Sequence, residues 1–154
     1  MKNPYEKIIH LLDDSDIKYE ILEHAAVYTS EQAAKIRGTS LAQGAKALLL
    51  KTGDQFTLAV LPGNKRLDSK KLRKVLSVKK LRFATPEEVK EVMGCEIGAC
   101  YPIGKIIGVR MIVDKSLAKN KIISFNPGIH TKSIKMKYRD YKTVARFKTA
   151  DIIQ

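Results

Sequence analysis

Apolar residues recur at helical spacing near the start of the chain. Tyr5, Ile8, Ile9 and Leu12 fall on one face of a helix that this pattern predicts over about 4–12. Capping signals predict further helices, because a Ser, Thr or Asp side chain accepts a backbone N–H at a helix start and glycine suits a helix end. Three such helices are predicted: one from Thr29 to Gly38, one from Asp68 to about Leu76, and one from Thr85 to Gly94. A short helical segment is predicted near Asp140, and a capped turn is predicted over 40–43.

Alternating and continuous apolar runs predict the strands. The runs 47–50 and 56–61 are joined across Gly53-Asp54, which is typical of a hairpin between two central strands. Several connections are too short for crossover helices, so the pattern predicts an α+β (mixed α/β) fold, a single domain of residues 1–154 with a central mixed or mostly antiparallel sheet flanked by short helices. The other strands are predicted over 18–23, 81–83, 108–113, 121–125, 133–137 and 144–147.

The helix that follows Asp68 has one apolar and one basic face. Leu72, Val75 and Leu76 are expected to face inward. The basic residues are expected to face outward, where they could contact the phosphates of a nucleic acid, and a solvated helix face is the alternative interpretation. These residues are Lys70, Lys71, Arg73 and Lys74.

The charge of the whole chain is strongly basic. Lys and Arg number 29 against 16 Asp and Glu, which gives a formal net charge of +13. This excess favours a polyanionic partner, nucleic acid first, through electrostatic steering and the release of counterions. A lysine-rich surface that only keeps the protein in solution is the alternative interpretation.

Compartment and metal content are predicted from what the sequence lacks. The first residues contain no apolar signal region, and the longest apolar run, 47–50, is far too short to span a membrane. We therefore expect a cytoplasmic protein without a membrane partner. Cys95 and Cys100 are the only cysteines and have no histidine nearby, whereas a zinc site needs about four ligands. We expect two free thiols rather than a disulfide, no metal and no cofactor.

A glycine- and proline-containing run, 94–102, is the first candidate for chemistry. Gly94, Gly98 and Pro102 disfavour a helix or strand interior and predict a shaped loop. Backbone N–H groups of such a loop could bind a developing oxyanion or a phosphate, and a structural turn is the alternative.

Few side chains in the sequence are suited to catalysis. Lys46 opens the most apolar strand, where its ammonium group points either into a cleft or to solvent. His24 and His130 follow predicted strands in loops and are better candidates than His10, which lies in the first helix. A nucleophile, a base and an orienting group cannot be assembled from these residues.

Taken together, these motifs resemble the YbaK/EbsC family, whose domain also occurs as the editing insertion of bacterial prolyl-tRNA synthetase. The resemblance covers nearly the whole chain, and the order and spacing of its parts are more specific than any one part. The parts are His24 with 28–31, then 46–51, 61–68, 94–102, 113–114 and 125–130.

The resemblance implies a mixed α/β editing domain that hydrolyses the ester between an amino acid and the terminal ribose of tRNA. The family's lysine maps onto Lys46, its Gly-x-x-x-Pro loop onto Gly98 and Pro102, and a histidine found in some branches onto His130. Backbone N–H groups near Gly98 and Ala99 would polarise the ester carbonyl, and Lys46 would bind the terminal phosphate or ribose. The attack of water on the ester would be assisted by substrate hydroxyls or by His130, and the thiol of a cysteine substrate could act instead.

The resemblance also implies a substrate pocket and a partner. The amino acid expected is small, alanine or cysteine on proline tRNA, and Tyr101 would narrow the pocket that receives it. The partner is the aminoacylated 3′ end of tRNA, with prolyl-tRNA synthetase as a further candidate. A catalytically inactive tRNA- or nucleotide-binding module of the same fold is the alternative. The expected substrate-binding residues are His24, Thr29, Ala99, Cys100, Tyr101 and Gly128.

Overall fold

The structure, a computed structural model, describes residues 3–154; the first two residues of the predicted domain lie outside this range. Five α-helices and eight β-strands alternate along the described residues. The helices are α1 (Pro4–Asp14), α2 (Ser30–Arg37), α3 (Ser69–Leu76), α4 (Pro86–Met93) and α5 (Tyr138–Ala145). The strands are β1 (Tyr19–Glu23), β2 (Ala45–Thr52), β3 (Gln55–Pro62), β4 (Leu81–Phe83), β5 (Arg110–Asp114), β6 (Ile122–Phe125), β7 (Lys132–Lys137) and β8 (Lys148–Ala150).

The predicted capping residues begin and end the helices. Thr29 accepts a hydrogen bond from the Gln32 N–H at the start of α2, and Gly38 ends this helix in the left-handed region with φ of 68°. Thr85 and Glu88 form a reciprocal capping box at the start of α4. Within residues 3–154, no helix is long and apolar enough to cross a membrane.

The strands form two sheets, so the fold is mixed α/β as predicted. An antiparallel sheet has the order β1-β7-β6, and a mixed sheet has the order β4-β2-β3-β5-β8 with parallel pairing of β3 with β5 and of β5 with β8. The predicted hairpin of β2 and β3 is confirmed. Strand β4 pairs only with residues 50–52 of β2, and Gly44 just before β2 bridges to Ser124, so the edge of β2 is open between these contacts, around Ala47.

Two apolar clusters lie on opposite faces of the mixed sheet. The larger one combines residues of both sheets, such as Leu49 and Phe125, with α1, α4 and α5. The smaller one packs Leu72 of α3 against Leu50 of β2. Leu49 and Leu50 point to opposite faces because side chains alternate along a strand.

Two sequence predictions about elements are wrong. The last strand is Lys148–Ala150 rather than 144–147, because Val144 and Ala145 continue the helical spacing of Tyr138 and Tyr141 and are buried within α5. Val75 does not face inward but is 43% exposed. Only one narrow stripe of α3 contacts the sheet, with Leu72 buried and Leu76 packed beside it.

Candidate active site

A cavity of about 440 Å³ opens beside the first half of β2. Residues 45–49 of β2 form one wall, α2 and the segment before it form another, and the loop 94–102 contributes Ile97, Gly98 and Cys100. The lining is mostly apolar with a few polar groups, and this volume suits a small organic ligand. The structure thus brings Lys46, Thr29, Gly98 and Cys100 to one cavity.

The open edge of β2 supplies backbone groups to this cavity. The Leu49 carbonyl points to the edge, where it accepts a hydrogen bond from the Ala84 N–H at 3.0 Å. Ala47 precedes Leu49 by two residues and therefore turns its own N–H and C=O to the same side, beyond the reach of β4. An extended ligand can pair with Ala47 there as an added strand does.

Among the described residues, Lys46 is one of two cations that line the cavity, the other being Arg37. Its Nζ donates to the Lys65 carbonyl at 2.7 Å, and burial lowers the pKa of its ammonium group, an effect that Glu31 opposes and Arg66 reinforces. Lys65 and Arg66 are exposed beside it. We call Lys46, Lys65 and Arg66 the basic rim. Lys65 and Arg66 belong to the sequence motif 61–68, but their position beside Lys46 depends on the fold of the hairpin.

The loop 94–102 is held in place from the core side. The Tyr101 hydroxyl donates to the Met93 carbonyl at 2.7 Å, and the Tyr141 hydroxyl donates to the Pro102 carbonyl at 2.6 Å. Tyr101 and Pro102 are both buried and do not line the cavity. The expectation that Tyr101 narrows the pocket is therefore wrong, because its ring points into the core and anchors the loop.

The loop offers fewer backbone donors than expected. The Ala99 N–H donates to the Glu96 carbonyl at 3.0 Å, so it is already occupied and the expected contribution of Ala99 is wrong. Gly98, with φ of 91°, turns the chain, and the N–H groups of Gly98 and Cys100 lie near the Cys100 sulfur. Both cysteines are free thiols. The neighbouring Cys95 thiol and these two N–H groups lower the pKa of Cys100, while burial opposes them.

His130 lies behind the cavity wall. Its Nδ1–H donates to the Val27 carbonyl at 3.0 Å, since a carbonyl can only accept. Its ring packs on Tyr28 with 4.5 Å between centroids, and its Nε2 lies 4.0 Å from a Glu96 carboxylate oxygen. The ring does not line the cavity. This position suits support of Tyr28 and Gly98 better than contact with a substrate.

His24 and Gly128 also lie outside the cavity lining. The His24 Nδ1–H donates to the Ala25 carbonyl, so its Nε2 accepts from the Ser133 hydroxyl at 2.8 Å. Gly128 has φ of 94° and turns the chain over Tyr101, where an added Cβ would lie 3.4 Å from the ring. Both residues support the site from behind.

Sequence analysis did not find two further groups in the cavity. Arg37 lines it and is only 8% exposed. Tyr28, Phe83 and Ile97 stand at its mouth and are each more than half exposed. No sequence pattern distinguished Arg37 from an ordinary helix-end arginine. The exposed apolar residues could be found only from the folded surface.

The basic residues of α3 do not line the cavity. α3 packs on the face of the mixed sheet that carries Leu50, whereas the cavity lies at the edge of β2 and is lined from both faces, by Leu49 on one and by Lys46 and Leu48 on the other. Lys70 and Lys74 are exposed. Lys71 is not a free surface charge, because it binds Asp151 at 3.1 Å and the Ile153 carbonyl at 2.8 Å.

Residues that could hold a metal are not grouped in the described part of the chain. Within residues 3–154, no three His, Cys, Asp or Glu side chains cluster. Nor does the cavity lining over this range include a His, Asp or Glu. The titratable side chains that do line the cavity are Tyr28, Arg37, Lys46 and Cys100.

Comparison with known proteins identifies the family of the chain. The family model of the aminoacyl-tRNA editing domain matches residues 24–144. The "Multifunctional Ser/Thr-tRNA deacylase ProXp-y" of Escherichia coli is 32% identical over 147 residues, covering 92% of this chain and 88% of that protein. The "Prolyl-tRNA editing protein ProX" of Acetoanaerobium sticklandii is 26% identical over 92% of this chain and 90% of its own length.

A solved structure of a hypothetical protein has the same fold. It superposes with a TM-score of 0.88 at 21% identity, over 96% of this chain and 99% of the other. The family match spans both the cavity and the loop 94–102. The chain therefore belongs to the aminoacyl-tRNA editing domain family, the family of deacylases that its sequence resembles.

Proposed function

We propose that this protein acts as a freestanding deacylase that hydrolyses the ester joining a wrong amino acid to the terminal ribose of tRNA. One observation carries the proposal. Lys46, the open backbone edge at Ala47 and the pinned loop at Gly98 surround a single cavity of about 440 Å³. An enzyme of this kind needs to bind an ester that is already activated, rather than to supply a strong nucleophile.

The nucleotide end of the substrate fits the mouth of the cavity. The basic rim (Lys46, Lys65 and Arg66) suits the phosphate before the terminal adenosine. Tyr28 and Phe83 are 64% and 57% exposed there, so either ring can stack on the adenine base. The aminoacyl group then points inward, along the edge of β2.

The reaction follows from this placement. The oxygen of a water molecule attacks the ester carbonyl carbon, and the negative charge that develops on the carbonyl oxygen is stabilised by N–H groups of the loop at Gly98 and Cys100. The bond between the carbonyl carbon and the ribose oxygen then breaks. The proton lost by the water passes to the ribose oxygen, which leaves free amino acid and uncharged tRNA. Since the His130 ring lies behind the wall, the adjacent ribose hydroxyl is the better group to orient the water.

We infer that the amino acid removed is small and carries a hydroxyl group. The E. coli relative, 32% identical, is named as a deacylase of Ser- and Thr-tRNA. The cavity also contains one buried cation among small apolar residues, which suits a polar side chain. Alanine or cysteine on proline tRNA is the competing substrate, and prolyl-tRNA synthetase would then be the relevant partner.

Deacylation assays with Lys46→Ala test this function. Ester loss is followed on tRNAs charged with Ser, Thr, Ala, Cys and Pro. Lys46→Ala is expected to lower kcat/KM by tenfold or more, because it removes a charge-assisted contact worth ~1.5–3 kcal/mol. Lys51→Ala is the matched control, since Lys51 lies on the same strand but packs on the Phe56 ring. It should behave as the unaltered protein.

The outcomes separate the two functions of this fold. Turnover of at least one mischarged tRNA, lost on Lys46→Ala, supports the deacylase. Tight and salt-dependent tRNA binding without turnover of any substrate would instead identify an inactive binding module. Equal activity of the Lys46 and Lys51 variants would reject the role given to Lys46.

A further inference from the structure

We propose that Arg37 binds the side-chain oxygen of the amino acid in the cavity and so selects hydroxylated over aliphatic substrates. The inference rests on the proposed deacylase function and adds to it a residue that reads the substrate. Arg37 is unusual among the residues of the site, because it is a cavity-lining cation that is only 8% exposed.

Arg37 lacks a negative partner in the protein. Among residues 3–154, it forms no ion pair with a carboxylate. Burial without such a partner is costly, and it lowers the pKa of the guanidinium group to about 10, so the group is still charged at neutral pH. A buried, uncompensated cation at a cavity is stabilised by a ligand that supplies an oxygen acceptor.

The guanidinium group is held in a defined orientation. Its Nε–H donates to the Ser133 hydroxyl at 2.7 Å, and its Nη1 donates to the Ser124 hydroxyl at 3.3 Å. Both serines are fully buried. The Ser133 hydroxyl can accept from Arg37 because its own proton is donated to His24. His24 therefore acts on the cavity indirectly, by fixing the hydroxyl that fixes Arg37.

Three of the five guanidinium N–H groups remain for a ligand. The bonds to Ser133 and Ser124 use two, and within residues 3–154 the second nitrogen, Nη2, has no hydrogen-bond partner. Gly44 lies beside the group, since a Cβ there would be 3.7 Å from the Arg37 Nη1, an ordinary contact distance. Arg37 and Gly44 both line the cavity, so the free donors have access to it.

The position of Arg37 favours an amino acid hydroxyl over a tRNA phosphate. Ser124 and Ser133 back it at the buried side, whereas the basic rim around Lys46 offers charges for the phosphate. The protein already satisfies the guanidinium group with neutral hydroxyl oxygens. A serine or threonine side chain would add a third acceptor of the same kind, and an alanine side chain would leave the donors unpaired.

Paired substrates that differ by one oxygen test the inference. The kcat/KM for Ser-tRNA and for Ala-tRNA, on the same tRNA body, is measured for the unaltered protein and for Arg37→Met. The unaltered protein should prefer serine by at least about tenfold, and Arg37→Met should lose this preference by slowing serine alone. Lys35→Met is the control, since Lys35 is exposed on the same helix. It should keep the preference.

Failure of the role given to Arg37 can be distinguished from failure of the deacylase function. An unchanged serine-to-alanine ratio in Arg37→Met, or a preference of the unaltered protein for Asp-tRNA over Ser-tRNA, would overturn the role of Arg37 while leaving the deacylase intact. If no tRNA is hydrolysed, the deacylase fails, and binding of non-hydrolysable seryl- and alanyl-amide analogues of adenosine still tests Arg37. If Arg37→Met does not fold, Ser124→Ala replaces it and should lower the ratio.

Discussion

At the scale of single residues, Cys100 is the most accessible chemical probe of the cavity. It lines the cavity with a pKa lowered by Cys95 and by backbone N–H groups, whereas Cys95 is 7% exposed. Since the thiolate is the reactive form, iodoacetamide should modify Cys100 well before Cys95. The added group occupies cavity volume, so deacylation should fall by tenfold or more. Peptide mass spectrometry and the ester assay, run on the same samples, measure both effects.

Cys100→Ala provides the matched control for this prediction. The variant lacks the reactive thiol, so iodoacetamide should leave its activity unchanged. Faster modification of Cys95, or full activity after complete modification of Cys100, would contradict the placement of Cys100 in the substrate cavity.

The sequence predicts only those cavity residues that belong to continuous motifs, because the others come together through contacts between distant parts of the chain. Lys46 and Gly98 belong to continuous sequence motifs that marked them as candidates, and both line the cavity. Arg37 could not, because an arginine before a glycine cap is common at helix ends, and its burial depends on serines 87 and 96 residues further along the chain. The sequence could not predict that the His130 ring lies outside the cavity lining, because its position depends on how the loop 126–130 packs on Tyr28.

At the scale of elements, the start of α4 depends on one carboxylate. Glu88 pairs with Arg82 of β4 at 2.7 and 3.1 Å and accepts the Thr85 N–H in the capping box. These contacts, the Arg82 bond first, lower the Glu88 pKa to about 2. A carboxyl with a lowered folded-state pKa stabilises the fold above its ordinary value near 4.5 and loses this contribution as pH falls toward 2.

Glu88→Gln should therefore lower the Tm at pH 7 and have a progressively smaller effect between pH 4.5 and pH 2. Glu87→Gln is the control, because Glu87 is an exposed acid of the same helix turn. Both variants lose a charge that favours a helix N-terminus, so their difference isolates the pair with Arg82. Thermal unfolding at five pH values measures it. A Tm difference that does not change with pH would contradict the ion pair.

Local signals explain which elements could be predicted. Capping residues act within one helix turn, so the limits of α2 and α4 were predicted from sequence. The last strand was misplaced because the short run 144–147 fits both the helical and the strand spacing of apolar residues. Tertiary packing decides for the helix, since Val144 and Ala145 complete the buried face of α5. The division into two sheets also depends on pairing between distant strands.

At the scale of the whole molecule, the net charge of +13 is not spread equally around the cavity. No residue of α3 (Ser69–Leu76) lines the cavity, whereas the basic rim includes Lys46, which does. Phosphate contact is therefore expected first at the rim. The charge predicted a polyanionic partner, but only the folded structure shows which cations adjoin the candidate site.

Replacing Lys65 and Arg66 together with alanine should weaken tRNA binding and make its salt dependence shallower by about 0.7, the value for one phosphate contact in a single strand. Lys79→Ala with Lys80→Ala is the control of equal charge, since Lys80 lies near the hairpin turn at the opposite end of β2. Binding from 50 to 300 mM salt measures the slopes. If the two double variants have equal salt slopes, tRNA binding depends only on the total charge of the protein. If the slope changes only in the Lys65 and Arg66 variant, these residues contact the terminal phosphate.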